Sequence, residues 1–241
     1  MPEHVLVAIA WPYASAKIHV GNVTSSHLPG DIFARYHRLN GDRVLMVSGS
    51  DSHGTPITVR AEEEGRTPRE VFESFHAQFL DLFQRLGISY DLFTHTDTEN
   101  HHHVSQDFFR ALLDGGYLYR ETQQQMYSEA QGRFLPDRYV EGTCPVCGSE
   151  SARGDQCENC NQLLDPGDLI NPRSALDGST PELRETEHYF LDLPRLAREG
   201  LAQWLALNKE HWRPNVINFA RNYVNEGLQG RPITRDLEWG V

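Results

Sequence analysis

The first 114 residues alternate short apolar runs with longer segments in which apolar residues recur every three or four positions. The short runs are rich in β-branched residues, which favours buried strands, whereas the longer repeat favours amphipathic helices. The predicted strands are "HVLVAIA", "RVLMVSGSD" and "ISYDLF". The predicted helices are "NVTSSHLPGDIFARYHRL", "TPREVFESFHAQFLDLFQRLG" and "TENHHHVSQDFFRALLDGG". This alternation predicts the opening of a parallel α/β sheet.

Two of the predicted helices carry local signals for a bend or a start. In the first helix we expect a bend or an interruption at Pro29-Gly30, because proline lacks the N–H that a helix interior needs. In the second, Thr67 is the expected N-cap, Pro68 the first helical residue and Glu70 the partner in a capping box. The apolar residues of this second helix are expected to pack in the core: Phe72, Phe75, Phe79, Leu82, Phe83 and Leu86.

Beyond residue 116 the pattern changes, which indicates a second domain. Residues 117–142 contain short runs of polar and apolar residues that predict hairpin strands. A loop rich in proline and glycine follows, and two helices are predicted over residues 193–207 and 214–228. We therefore expect one domain over residues 1–116 and another over residues 117–230.

Charge and composition exclude some classes of protein. The 241 residues include 22 Lys and Arg against 34 Asp and Glu, and the resulting net charge of −12 argues against broad electrostatic capture of nucleic acid by this chain alone. A local basic groove, or a basic partner domain, remains compatible with that charge. No apolar run approaches the roughly 20 residues that a membrane span needs, and the N-terminus lacks the basic region of a signal peptide. We expect a cytoplasmic protein that makes no contact with a membrane; its oligomeric state is left open.

The four cysteines form two Cys-x-x-Cys pairs, a spacing typical of zinc knuckles. The pairs are Cys144 with Cys147 and Cys157 with Cys160, and the sequence holds no other cysteine. Each pair places two thiolates on one side of a tight turn, and two such turns complete a tetrahedron around one zinc ion. Two disulfides in a secreted protein are the alternative, which nothing else in the sequence supports. Because four thiolates leave no open coordination position, the expected zinc is structural.

The loops that follow the first two predicted strands carry the most reactive side chains. The first loop ends in His19, Gly21 and Asn22 at a helix start, where unpaired N–H groups and the helix dipole favour an anion such as phosphate. A solvated turn with an incidental imidazole is the alternative. The second loop, Asp51–Thr55, adds a carboxylate and a second imidazole. Since the carboxyl ends of parallel strands share one edge of a sheet, both loops should converge on a crevice suited to a nucleotide and a small cation.

Three consecutive histidines invite a metal-binding interpretation. On a helix, the side chains of His101, His102 and His103 point in different directions. We therefore expect these imidazoles to be largely solvated. The sequence also contains neither G-x-G-x-x-G nor G-x-x-x-x-G-K-[ST], which removes the ordinary dinucleotide and P-loop interpretations of the crevice.

Five motifs in order carry a resemblance to a known family. "PYASAKIHVGN" resembles the HIGH signature of class I aminoacyl-tRNA synthetases. Together with "SDSHGTPI", "FLPDRYVEGTCPVCG", "GDQCENC" and "RPITRDLEWGV", it makes the chain similar to the methionyl-tRNA synthetases from Val5 to Val241. The resemblance implies a Rossmann-like parallel-sheet catalytic domain with an inserted connective-peptide domain. That insertion would carry the zinc knuckle over about residues 139–170, and residues 231–241 would begin the return to the catalytic domain.

The resemblance also implies a reaction and a set of site residues. The reaction is the activation of methionine by ATP, with magnesium, to methionyl-adenylate, followed by transfer to the cognate tRNA. The ATP-binding residues implied are His19, Gly21 and Asn22, of which His19 and Asn22 fall on the signature's two histidine positions and would be catalytic. The methionine-binding residues implied are Ala10, Trp11, Tyr13 and Asp51, the last as the acid that holds the substrate ammonium. The zinc ligands implied are Cys144, Cys147, Cys157 and Cys160.

The chain departs from the family pattern in three ways. Asn22 stands where the signature has its second histidine; an amide donates to phosphate but carries no charge. The second family signature, Lys-Met-Ser-Lys-Ser, does not occur in these 241 residues, nor does the α-helical anticodon-binding domain, so we expect little or no catalysis from this chain alone. The segment "INPRSALDGS", where some relatives carry a second cysteine pair, has none, so one zinc is expected.

Two other functions are compatible with parts of the sequence. One is another class I synthetase, such as those for leucine, valine or isoleucine, against which the polar "SDSHGTP" turn and the early knuckle favour methionine. The other is a zinc-ribbon module that binds RNA or protein without catalysis. The cysteine spacing alone would fit such a module, but it leaves the strand-end loops unexplained.

Overall fold

The structure, a computed structural model, describes residues 2–207 and 211–241. The chain forms two compact units. The first unit runs to Ser105 and includes Glu238–Val241, and the second comprises Gln106–Leu237. The division therefore falls inside a helix, before the boundary that the change of sequence pattern indicates. No helix among the described residues is both long and apolar enough to cross a membrane.

The first unit is built on a three-stranded parallel sheet. Its strands are β1 (His4–Ala8), β2 (Arg43–Ser50) and β3 (Leu92–His95). The strand order is β1-β2-β3, with both pairs parallel. The α/β class with a parallel sheet is thus confirmed, and all three carboxyl ends lie at one edge. β3 starts later than "ISYDLF" predicts, because the N–H of Ser89 donates to the Asp31 carboxylate over 2.7 Å instead of joining the ladder.

Helices follow each strand of this sheet. They are α1 (Val20–Asn22), a π-helical turn (Val23–His27), α2 (Leu28–Leu39), α3 (Thr55–Glu64), α4 (Pro68–Leu86) and α5 (Glu99–Asp114). The expected interruption at Pro29-Gly30 is wrong, since helical backbone continues through both residues. The irregularity is instead the wide turn just before them, in which Leu28 N–H reaches Val23 O. A wider turn relieves the crowding between a proline ring and the preceding carbonyls.

Helix α4 begins as its sequence predicts. The Thr67 hydroxyl accepts the N–H of Glu70 at 3.2 Å, and the Glu70 carboxylate accepts the N–H of Thr67 at 2.8 Å, which completes the capping box. The four phenylalanines assigned to the core are buried: Phe72, Phe75, Phe79 and Phe83. Leu82 is only half-buried and Leu86 is 49% exposed, so the prediction was wrong for the last turn of the helix.

The second unit contains two antiparallel sheets. Their strands are β4 (Leu118–Ser128), β5 (Arg133–Phe134), β6 (Val140–Thr143), β7 (Ala152–Arg153), β8 (Ile170–Ser174), β9 (Glu182–Leu191) and β10 (Arg231–Pro232). The strand orders are β10-β9-β4-β5 and β7-β6-β8. β4 is longer than the predicted short hairpin strands, because it pairs with β9 from Leu118 opposite Leu191 to Tyr127 opposite Glu182. The predicted loop before "EHYFLDL" contains β8 and the start of β9.

The predicted helices at the end of the second unit are present. They are α6 (Leu193–Leu196), a π-helical turn (Ala197–Leu201), α7 (Ala202–Ala206) and α8 (Pro214–Asn225). The first three form one helical stretch with a wide turn in its middle, where the sequence pattern predicts a single regular helix.

Candidate functional site

The loops that follow β1 and β2 are joined by backbone hydrogen bonds. Asp51 N–H donates to Pro12 O at 2.8 Å, and Ala14 N–H donates to Asp51 O at 2.9 Å. These bonds form a parallel bridge between Tyr13 and Asp51 beyond the ends of the two strands. The predicted convergence of the two loops on one edge of the sheet is confirmed, and it sets the Asp51 carboxylate beside the aromatic loop.

Aromatic and small side chains of the first loop are open to solvent at this edge. Ala10 is exposed, Trp11 is 39% exposed and Tyr13 is 54% exposed. The Trp11 ring lies directly over Gly49 of β2. A Cβ at Gly49 would lie 2.6 Å from the Trp11 ring and 2.7 Å from the Thr94 carbonyl oxygen, both too close for real atoms. Gly49 therefore lets the indole approach the strand closely, a role that the sequence alone did not indicate.

The helix start beside this loop is fixed by two of the predicted residues. Asn22 N–H donates to His19 Nδ1 at 3.3 Å, and His19 N–H donates to the Asn22 Oδ1 at 3.2 Å. This reciprocal pair is a capping box in which His19 is the N-cap. Gly21 lies between them, and a Cβ there would approach the His19 ring to 2.9 Å. With Oδ1 engaged by the backbone, the Nδ2 hydrogens of Asn22 are the ones suited to donate to an anion.

Asp51 combines a turn contact with a poorly solvated carboxyl group. Its Oδ1 accepts the N–H of His53 at 3.2 Å, the contact expected of a turn aspartate. Burial raises the pKa of Asp51 above its ordinary value, although the His53 N–H and the nearby imidazoles of His53 and His101 act in the opposite direction. The charged form thus lacks a full counterion, and a cation bound at this edge would stabilise it.

At the same edge, sequence reasoning missed two residues, Asp97 and Trp239, and expected a third, His102, to be solvated. Asp97 follows β3, Trp239 comes from the returning segment, and His102 lies in the first turns of α5. The Trp239 indole N–H donates to Ser52 O at 2.7 Å, and its ring centroid lies 5.3 Å from that of His53. The strand-end rule could have found Asp97 had it been applied to the third strand, where "HTDTEN" follows the apolar run.

The expectation that the histidine triplet is largely solvated is wrong for two of its members. His103 is exposed, whereas His101 and His102 are half-buried. The His102 Nε2 lies 3.3 Å from Asp97 Oδ1. The reason is that α5 starts immediately after the β3 loop, so its first turns lie against that loop. Burial also lowers the pKa of the neighbouring His53, with Asp97 opposing this effect.

The four cysteines of the second unit lie together as free thiols. The Sγ atoms of Cys144 and Cys160 are 3.9 Å apart and those of Cys147 and Cys157 are 3.6 Å apart, with all four within 4.8 Å of one another. Zinc–sulfur bonds of 2.3 Å in a tetrahedron would require sulfur separations of about 3.8 Å. The group therefore has the size of a tetrahedral metal site. The alternative of two disulfides is not observed, because all four cysteines are free.

Both cysteine turns have the same backbone form. Gly148 N–H donates to Cys144 O, and Asn161 N–H donates to Cys157 O, at 3.0 and 2.8 Å. Gly148 has a φ of 74° and Asn161 a φ of 58°, the left-handed region that glycine and asparagine tolerate. The sequence signal for two knuckles is therefore matched by two turns that share this hydrogen bond and a left-handed residue.

The surroundings of the cluster shift the pKa values of Cys147 and Cys160 in opposite directions. The pKa of Cys147 is lowered to about 6, first by the Asn159 amide, which donates to its sulfur at 3.5 Å. The Gln162 backbone N–H lowers the pKa of Cys160, but burial and the neighbouring thiols outweigh it and raise that pKa to about 12. Four thiolates cannot share this space without a cation.

A parallel sheet whose first two loops converge beside a helix start, followed in the chain by a paired cysteine knuckle, agrees with the catalytic region of a class I aminoacyl-tRNA synthetase. The sequence model of the family described as "tRNA synthetases class I (M)" matches residues 5–241. The chain belongs to this family.

Curated relatives agree with this assignment. The chain is 59% identical to the methionine–tRNA ligase of Roseiflexus sp. (strain RS-1) and 57% identical to that of Thermomicrobium roseum. Each alignment covers 100% of the chain and 41% of the relative. The chain thus spans about two fifths of the length of these relatives.

Solved structures support the fold. The chain is similar to a Mycobacterium tuberculosis methionyl-tRNA synthetase bound by methionyl-adenylate, with a TM-score of 0.70 and 23% sequence identity. The match covers 100% of this chain and 42% of that chain. At this identity the likeness establishes the shared fold.

Proposed function

We propose that this chain contributes to an enzyme that activates methionine and charges the cognate tRNA. In the first step a carboxylate oxygen of methionine attacks the α-phosphorus of ATP, methionyl-adenylate forms and pyrophosphate leaves. In the second step the methionyl group passes to the terminal ribose of the tRNA. The observation that carries the proposal is the Tyr13–Asp51 bridge, which joins an aromatic loop to a carboxylate beside a helix start. Membership of the family supports the choice of methionine and of the tRNA.

The methionine site of this proposal consists of Ala10, Trp11, Tyr13 and Asp51. Trp11 and Tyr13 offer exposed aromatic faces, against which a thioether sulfur packs favourably by ~0.3–1.5 kcal/mol. The Asp51 carboxylate would pair with the substrate ammonium, which supplies the counterion that its poorly solvated position lacks.

The ATP site of this proposal consists of His19, Gly21 and Asn22. Negative charge grows on the oxygens of the α-phosphate during adenylation, so fixed donors at the helix start would stabilise the transition state. The absence of a Cβ at Gly21 would let the purine approach the backbone. Magnesium would accompany ATP as part of the substrate, because it neutralises phosphate charge.

The metal of the second unit is proposed to be zinc, held by Cys144, Cys147, Cys157 and Cys160. The thiolate set and its tetrahedral dimensions support zinc over the hard cations, which prefer oxygen ligands. A site with four protein ligands stabilises the fold of residues 139–170 and takes no part in the reaction.

The domain assignment rests on the same resemblance. We propose that residues 1–116 form the first half of the Rossmann-like catalytic domain, residues 117–230 the connective-peptide insertion, and residues 231–241 the start of the return. The packing of Trp239 against Phe72 and His53 supports the return to the catalytic unit. A cytoplasmic location is proposed from the family's role in protein synthesis.

An ATP–pyrophosphate exchange assay on a full-length version tests the proposal. Methionine, leucine, isoleucine and valine are supplied separately, and labelled pyrophosphate should enter ATP only with methionine. Exchange with one of the branched amino acids would support the rival synthetases, and no exchange with any of them would support a binding module. The family match favours neither rival.

A further inference from the structure

A buried carboxylate lies between two imidazoles at the carboxyl end of β3. The side chain of Asp97 is only 3% exposed. Its Oδ1 lies 3.3 Å from the Nε2 of His102 and 3.7 Å from the Nε2 of His53. The three residues come from three separate segments, the β2 loop, the β3 loop and α5, so the fold brings them together.

The two facing imidazole nitrogens lack hydrogen-bond partners among the described residues. The Nε2 atoms of His53 and His102 are buried, yet neither makes a hydrogen bond of acceptable geometry. Leaving a buried polar atom unpaired is destabilising, and such atoms in native proteins call for a partner such as an ion. A ligand placed between the three side chains would pair with both of these nitrogens and contact Asp97 Oδ1 at once.

The separations match those around a small metal ion. A tetrahedral ion with ligand bonds of 2.0–2.2 Å has ligand atoms about 3.4 Å apart. The two distances to Asp97 Oδ1 lie on either side of that value, and the three ligand atoms all lie within 4.8 Å of one another. Two imidazoles and one carboxylate suit a borderline ion such as Zn²⁺ and leave a coordination position open to water.

Arg69 forms an ion pair with the other oxygen of the same carboxylate. Its Nη2 lies 2.8 Å from Asp97 Oδ2, whereas the imidazole distances are to Oδ1. The guanidinium also lies over the Trp239 ring, 5.7 Å from its centroid, which holds it in place. An outer charged partner of this kind is a common feature of carboxylate ligands of metals.

We propose that His53, Asp97 and His102 form a second metal site, distinct from the cysteine knuckle and suited to Zn²⁺ or Co²⁺. The site is part of the same edge as the proposed methionine pocket, but its binding of an ion does not depend on methionine, ATP or catalysis. Failure of this site to bind an ion would therefore leave the proposed function unaffected, and failure of the proposed function would leave this site unaffected.

Metal analysis of the reduced 241-residue chain tests this site. The protein is equilibrated with excess Zn²⁺, freed of loosely held ions by gel filtration, and analysed for zinc. We expect two ions per wild-type chain, one ion per chain in His102→Ala and in Asp97→Asn, and two in the control His103→Ala. His103 is the matched control because it is adjacent in α5 and exposed. Circular dichroism confirms that each variant is folded.

Cobalt substitution identifies the ligands. Co²⁺ in the knuckle gives intense sulfur-to-metal charge-transfer bands, whereas Co²⁺ bound by nitrogen and oxygen gives only weak d–d bands. A second equivalent of Co²⁺ should add d–d absorption and no charge transfer, and His102→Ala should remove that increment. One ion per wild-type chain, or a second ion that survives in both His102→Ala and Asp97→Asn, would overturn the proposal.

Discussion

At the scale of single residues, Asp51 can serve two contacts because its carboxyl group has two oxygens: the hydrogen bond from His53 N–H and the proposed pairing with a substrate ammonium. Its Oδ1 accepts the N–H of His53, so the turn role that local sequence favours is real. The second oxygen and the charge remain for a cation. Since burial raises the pKa of this group, the carboxylate is less stable here than in water. A substrate ammonium would reverse that effect, which makes the turn and binding roles compatible.

Replacing Asp51 by Asn in the intact enzyme should separate the two roles. The amide oxygen keeps the turn hydrogen bond and removes the charge, so methionine binding should weaken by roughly 2–5 kcal/mol while the thermal midpoint hardly moves. Calorimetric titration with methionine and a thermal melt measure both. In the wild type, methionine affinity should be full above the raised pKa of Asp51 and fall as the pH drops through it, because protonation removes the charge. A lowered melting temperature with normal methionine affinity would mean that Asp51 stabilises its turn and does not bind methionine.

Asn22→Ala in the intact enzyme should affect the chemical step more than methionine binding. The change removes a donor at the helix start and the acceptor of the His19 N–H. Loss of one such donor typically lowers turnover by ~10²-fold or more. Asn22→His is the control, because an imidazole can donate to the same phosphate. Steady-state kinetics of adenylate formation distinguish the outcomes, and normal turnover with lost methionine affinity would contradict the placement of Asn22 beside the phosphates.

At the scale of elements, the sequence predicted those whose signals are local. The capping box at Thr67 and the paired cysteine turns depend on a few adjacent residues, and both are present. Helix α3 was not predicted, although Pro56 near its start and Gly65 at its end are typical helix signals. The reason is that Thr55 and Pro56 were assigned to the Gly-containing loop that precedes the helix. The position of β3 depends on the bond from Ser89 to Asp31, which joins residues far apart in sequence. Such contacts leave no local pattern.

The same limit applies to the site. The two loops could be assigned to one edge because parallel topology dictates it. The contact between His102 and Asp97 could not be predicted from the sequence, since it depends on how α5 packs against the end of β3. The requirement for glycine at position 49 could not be predicted either, because the atoms that a Cβ would meet belong to Trp11 and Thr94, which lie in other segments.

Gly49→Ala should disturb both strand packing and the methionine pocket. The added methyl group meets the Trp11 ring and the Thr94 carbonyl, and overpacking of this kind typically destabilises by about 1–3 kcal/mol. The Trp11 indole must move, so methionine affinity should fall as well. Urea denaturation and methionine titration measure the two effects in the intact enzyme. Gly200→Ala is the control, because a Cβ there meets no atom within 4 Å; equal destabilisation in both variants would contradict the explanation.

At the scale of the whole molecule, each of the two units has its own secondary structure and its own chemistry. The crevice residues lie in the unit that contains the parallel sheet, and the cysteine cluster lies in the other. With a net charge of −12 over these residues, the proposed contact with tRNA calls for a local basic groove or a basic partner domain. Because the proposed cysteine site and the proposed His53 site lie in different units, we expect each to bind its ion independently of the other.

Removal of the knuckle zinc should therefore loosen one unit and spare the other. Structural zinc contributes on the order of 10 kcal/mol of folding free energy in small modules, so its loss should expose the amides of residues 139–170. Chelation under reducing conditions, followed by hydrogen exchange read by mass spectrometry, should show faster exchange there. Cys160→Ser, which leaves the His53, Asp97 and His102 side chains intact, should show the same faster exchange together with unchanged exchange in α4 and β2, whereas His102→Ala should keep the knuckle zinc and its protection. Fewer than one zinc per reduced wild-type chain would contradict the zinc assignment, and loosening of α4 in Cys160→Ser would contradict the independence of the two units.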